Sequence, residues 1–202
     1  MKAIIYYSLI AILLFSCKEK VIVNPQPTIN YYARQMGLVN VDTTSYWSYQ
    51  TVNYFLVGDS TKYVETHTVI DTTIINNSPA FNVNVLTAFG SYQYSLRTDS
   101  TGLYMNKQGN VNHYKYPTSI GDTFAIINKN GCLVYATTVS TDTTISYNGY
   151  VFENCIAYHT WYQNGCVLMS DTYSFYKYGT GLVASYVVGN TNTTKRYLIA
   201  RN

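Results

Sequence analysis

The sequence predicts an all-β protein, a single antiparallel domain folded as a β-sandwich or a strongly curved half-barrel of about a dozen strands on a tether. Three observations predict it. Tyrosine (23 residues) and β-branched residues dominate while only 11% of residues are charged, a composition suited to pleated, half-buried surfaces. Runs of alternating polarity recur along the chain, and each ends in a turn signal. Among those signals are three Asn-Gly pairs, Asn130-Gly131, Asn148-Gly149 and Asn164-Gly165, whose readiness for positive φ marks tight hairpins.

Taken in order, the strand-like runs begin with YWSYQTVNYFLV from Tyr46, closed by GDST. KYVETHTVI, AFNVNVLTA and SYQYSLR follow, closed by DTT, FGS and TDSTG. The second half is cut by KQGN, NKNG, NGY, QNGC, YGTG and GNTNTT. A meander of local hairpins is the expected topology. A weak internal repeat supports two similar halves: residues 67–83 align with 138–154, pairing Asp71 with Asp142, Ile74 with Ile145 and Phe81 with Phe152. Trp47, Phe55, Phe81, Phe124, Phe152 and Phe175 each lie in a strand-like run and are expected to be largely buried.

The N-terminus reads as a lipoprotein signal peptide over residues 1–16. Lys2 supplies the positive region, Ala3 to Phe15 the apolar stretch, and Leu14-Phe15-Ser16-Cys17 resembles a bacterial lipobox. The apolar run is shorter than the ~20 residues a membrane-spanning helix needs, and Lys18-Glu19-Lys20 closes it. Cys17 is therefore the expected lipidation site, holding the protein to the membrane with palmitate and related chains. Residues 17–30, with Pro25 and Pro27, read as an extended tether, and residues 31–202 as the β domain. Lys18 is not the aspartate associated with inner-membrane retention in some bacteria, so the expected location is the outer membrane.

Removing the leader leaves 186 residues, enough for one sizeable core, with a net charge of about +2. Its basic residues are scattered, which offers nucleic acid nothing to bind. Cys132, Cys155 and Cys166 remain after Cys17 is assigned to lipid. Three cannot all pair, so one disulfide and one buried thiol are expected, the pairing left open. No C-x-x-C spacing points to redox chemistry.

A family resemblance rests on YWSY, DTTI, LRTDSTGLY, YPTSIGDTF, NGYVFENC and KYGTGLVAS, in that order over about residues 40–188. This chain resembles a group of uncharacterised β-rich lipoproteins typical of Bacteroidota, with the pattern W-x-Y, P-x-x-x-G-D-x-F, F-x-N-C and G-x-G-L-V. The resemblance implies a curved antiparallel domain on a lipid anchor and no established activity.

Catalytic chemistry finds little support. His67, His113 and His159 sit in no catalytic motif, and strand residues that pack a ring and make one hydrogen bond account for all three. Nucleophile elbow, zincin, P-loop and dinucleotide motifs are missing, and no cofactor or metal is expected. A non-enzymatic binding or structural module is the expected function, its partners the membrane and a glycan or envelope protein. One alternative is a surface glycan-binding protein that stacks Tyr and Trp on sugar rings. Residues 150–162 set out Tyr150, Phe152, Ile156, Tyr158 and Tyr162 on one face and Cys155, Ala157, His159 and Trp161 on the other. The other alternative is a carrier of lipid or lipoprotein with an apolar cavity.

Every one of the seven aspartates is followed by Ser or Thr. Asp opening a turn through its own backbone explains part of this. The D-[ST]-x triplets also resemble the O-glycan acceptor of exported Bacteroidota proteins, which makes Thr43, Ser60, Thr72, Ser100 and Thr143 candidate acceptors.

Overall fold

A computed structural model describes residues 41–75, 78–99, 101–107, 110–127, 133–162, 170–177 and 180–202. They form twelve strands: β1 (Tyr46–Phe55), β2 (Ser60–Ile75), β3 (Ser78–Thr87), β4 (Gly90–Asp99), β5 (Gly102–Lys107), β6 (Asn110–Lys115), β7 (Thr123–Ile127), β8 (Leu133–Tyr147), β9 (Tyr150–Tyr162), β10 (Asp171–Lys177), β11 (Gly181–Val188) and β12 (Asn192–Arg201). No helix occurs among the described residues. All twelve strands lie in one antiparallel sheet ordered β6-β5-β4-β3-β2-β1-β12-β11-β10-β9-β8-β7. Each strand pairs with its neighbours in sequence except β6 with β7, and the pairing of β1 with β12 joins the two ends of the chain. The sheet curls into a nearly closed barrel rather than splitting into a sandwich.

Its two edges, β6 and β7, meet through the loop between them. The GD element of the P-x-x-x-G-D-x-F pattern extends β7 along β8 at this edge and reaches β6 through Lys115. Gly121 donates its N–H to the Thr138 carbonyl (2.8 Å), and Thr138 returns one to the Asp122 carbonyl (2.9 Å). The Asp122 carboxylate accepts from the Ser119 backbone (3.0 Å), the Thr118 hydroxyl (3.3 Å) and Lys115 Nζ (3.3 Å), contacts that hold its pKa below the usual carboxylate value.

The predicted repeat corresponds to a structural one. The hairpins β2–β3 and β8–β9 are the second and third strands of two six-strand halves. Asp71 lies at a register shift of β2, and Asp142 between shifted residues of β8. At the tip of β8–β9, Asn148 (φ +47°) and Gly149 (φ +85°) make the expected tight turn.

Trp47, Phe81 and Phe175 are buried in one continuous core, as their alternation predicts. Phe124 and Phe152 are only half-buried, and Phe55 is 39% exposed because β1 ends there, opposite Asn192 at the start of β12. On the inner side Tyr114, Tyr158 and Tyr176 pack ring against ring, with centroids 5.1–5.9 Å apart. The Tyr158 hydroxyl donates to the Lys115 carbonyl at 2.8 Å, so this part of the interior is filled. The two faces read for residues 150–162 hold from Ile156 onward, where Tyr158 lies opposite Thr138 and Ser174. Before that, Asn154 at φ +55° and register shifts against β8 break the alternation.

Candidate functional site

The unfilled part of the interior is a cavity of about 210 Å³. Trp47 and Tyr49 of β1, His67 of β2, Leu96 of β4 and Met105 of β5 line it from one side of the barrel. Tyr176 of β10 and Leu182 of β11 line it from the other. The sheet order places these strands far apart, so only curling brings them together. The W-x-Y and G-x-G-L-V elements of the resemblance meet here: the Tyr49 hydroxyl donates to the Leu182 carbonyl at 3.1 Å. Gly181, at φ +90°, turns the chain into β11 beside them.

Alternation explains why charge enters this interior. Glu65, His67 and Val69 share the inward phase of β2, opposite Tyr49, Trp47 and Val83 on the neighbouring strands. Glu65 is 2% exposed. Its carboxylate accepts from the Thr51 hydroxyl (2.8 Å), pairs with Arg196 Nη2 (3.0 Å) and faces His67 Nε2 (3.5 Å). Burial alone would push the Glu65 pKa up, but His67, Arg196 and Thr51 draw it down to about 2. The His67 pKa is also held below its ordinary value, since burial disfavours its cation and the Arg196 charge adds to that. A neutral His67 that donates from Nε2 to Glu65 accepts at Nδ1 from the Tyr94 hydroxyl, 3.0 Å away. The Tyr92 hydroxyl lies beside the Arg196 guanidinium, and Lys107 Nζ sits 3.5 Å from the centre of the Tyr92 ring.

Only His67 of the three histidines reaches the cavity. His113 stacks on Tyr104 (4.2 Å, 2°), and His159 stacks on Tyr173 (4.5 Å, 10°) with Asp171 at 3.4 Å. No group of three or more His, Cys, Asp or Glu side chains able to hold a metal occurs among the described residues. Cys155 is a buried free thiol whose pKa burial raises to about 11, the state of an inert structural cysteine. Cys17, Cys132, Cys166 and Ser100 lie outside the described residues. Thr43, Ser60 and Thr72 are exposed and Thr143 is half-buried, each at a different place on the barrel. The turn explanation accounts for two aspartates directly: Asp42 Oδ1 accepts from the Thr44 N–H at 2.8 Å, and Asp99 Oδ1 from the Thr101 N–H at 2.8 Å.

Glu65, Arg196 and Lys107 were not legible as site residues, although an acid two residues before a histidine on the core-facing phase of a strand is a usable signal.

No protein-family model matches the sequence, and no curated protein matches it. Solved structures do. The barrel shares the fold of a Bacteroides fragilis NCTC 9343 protein assigned as exported, whose crystal structure has a YmcC-like fold. That likeness has a TM-score of 0.54 at 14% identity and covers 80% of this chain and 96% of the other. A protein assigned as a lipoprotein from Parabacteroides distasonis ATCC 8503 is also similar, with a TM-score of 0.49 at 13% identity over 79% of this chain and 96% of that one. At such identities the likeness to the Bacteroides barrel is one of fold, reached with a largely different set of side chains.

Proposed function

We propose that this chain is a non-enzymatic binding protein of the cell envelope, held to the outer membrane by lipid on Cys17, with a small-molecule ligand in the barrel interior. The cavity carries this reading: it is concave and mostly aromatic and aliphatic, with a few convergent polar groups, the make-up of a ligand site. It favours a carrier or sensor of an apolar molecule over a glycan reader. Two outward ring pairs, Tyr135 on Trp161 at 4.9 Å and His159 on Tyr173 at 4.5 Å, are stacked on one another, which leaves each ring one face instead of two for a sugar. Likeness in fold to a protein assigned as exported agrees with an envelope location.

A neutral fluorescent probe, aminoanthracene, should bind the mature protein with a blue-shifted emission. Met105→Trp, which fills the cavity, should abolish the signal. Binding that survives Met105→Trp would place the probe elsewhere and overturn this reading. Intact mass spectrometry of protein taken from its native envelope should show acyl chains that disappear, with membrane fractionation, in Cys17→Ala. The same spectrum tests the D-[ST]-x acceptors: hexose-spaced increments are expected, and a single acylated mass would leave the turn explanation alone.

A further inference from the structure

We infer that the barrel binds an acyl carboxylate, with its anionic head between Lys107 and Arg196 and its chain running along the barrel axis. The inference rests on the interior ligand site proposed above.

Charge is the first argument. Glu65, the carboxylate among the cavity's charged groups, is already held by Arg196, Thr51 and His67. Lys107 touches no carboxylate among the described residues; its ammonium lies on the Tyr92 ring instead. Arg196 Nε is buried and donates to no acceptor among the described residues. Lys107 and the Arg196 side chain thus line the same space, and an oxygen anion there answers the uncompensated charge of Lys107.

Register gives the second argument. Lys107 is the last residue of β5, and Tyr92 lies two residues into β4, so both sit at the barrel end that also carries the β1–β2 and β3–β4 turns. Met105 and Leu103 follow inward along the same face of β5, and Leu103 lies about 13 Å from Lys107 at the usual strand rise. Leu96 lies opposite Met105, and Leu182 continues that apolar wall at the far end. The cavity is therefore polarised along its length, cationic at the mouth and aliphatic at depth, which suits an extended chain with one charged end.

The rim gives the third. Leu56 (79% exposed), Val57 (85%) and Phe89 (78%) project from the two turns at the mouth. An apolar rim allows an acyl chain to enter without crossing a polar barrier.

Displacement of aminoanthracene from the full mature chain tests this. Dodecanoate, dodecanol, dodecyltrimethylammonium and naphthoate are compared in the Trp161→Phe background, so that Trp47 reports from inside the cavity. Dodecanoate should displace the probe at about tenfold lower concentration than dodecanol, with the cation weaker still. Lys107→Gln should narrow that difference, and Lys177→Gln, at the opposite end of the barrel, should preserve it. Equal affinity for acid and alcohol would overturn the anionic head while leaving interior binding intact. Tighter binding of naphthoate would overturn the acyl chain. Failure of aminoanthracene to bind at all would remove the interior site and this inference with it.

Discussion

Replacing Glu65 with alanine will cost the barrel about 3 to 5 kcal/mol in urea unfolding, because the change leaves the Arg196 guanidinium facing the interior without its carboxylate. Glu65→Gln, which keeps an acceptor for the Thr51 hydroxyl, should cost less. The same pair predicts an acid-labile fold. His67 has a folded pKa below its ordinary 6.5, so from about that pH downward the unfolded chain takes up a proton that the folded chain declines. Glu65 has a folded pKa of about 2 against an ordinary 4.5; its contribution is complete above 4.5 and fades as the pH falls toward 2. Unfolding midpoints should therefore fall below about pH 6.5 and more steeply below about 4.5. In Glu65→Gln the lower step should vanish. A midpoint flat from neutrality to pH 3 would mean that neither group is perturbed as the geometry requires.

Phe81→Ala carries the other large effect. Phe81 is 5% exposed in the main core and sits opposite Thr72 of β2 and Leu96 of β4. Truncating such a ring removes about 3 to 5 kcal/mol, a large share of the roughly 5 to 15 that hold a domain together. Phe55→Ala is the matched control: its ring is 39% exposed at the end of β1, and the loss should stay within about 1 kcal/mol. Equal losses at the two positions would contradict the burial described here.

The contrast between these phenylalanines shows what the sequence could convey. Alternation is a local property, so strand positions, the Asn148-Gly149 turn and the inward placement of Trp47 and Phe81 were legible. Phe55 has the same local pattern, but its exposure depends on where β1 runs out against β12, a pairing between residues far apart in the chain. Closure was legible only as strong curvature. The β6 edge is held through Lys115, whose ammonium donates to Asp122 and whose carbonyl accepts from Tyr158, contacts that no periodicity announces. Likewise, the two faces of β9 were assigned by strict alternation, which fails where Asn154 adopts positive φ and β8 slips its register. The cavity was the least legible feature. Its acid on β2 and one cation on β12 flank β1, but the other cation, on β5, faces them only once the sheet has curled.

The central claim is that the barrel interior is the binding site and that it has a cationic mouth and an apolar depth. A crystal structure of the mature protein with ω-bromododecanoate tests it most directly, because the anomalous signal of bromine marks the chain end. Bromine is expected between Leu103 and Leu182, with the carboxylate within hydrogen-bond distance of Lys107 Nζ and beside the Arg196 guanidinium. Bromine on the outer rings of Tyr135 and Trp161, or a carboxylate buried at the Leu103 end, would contradict it.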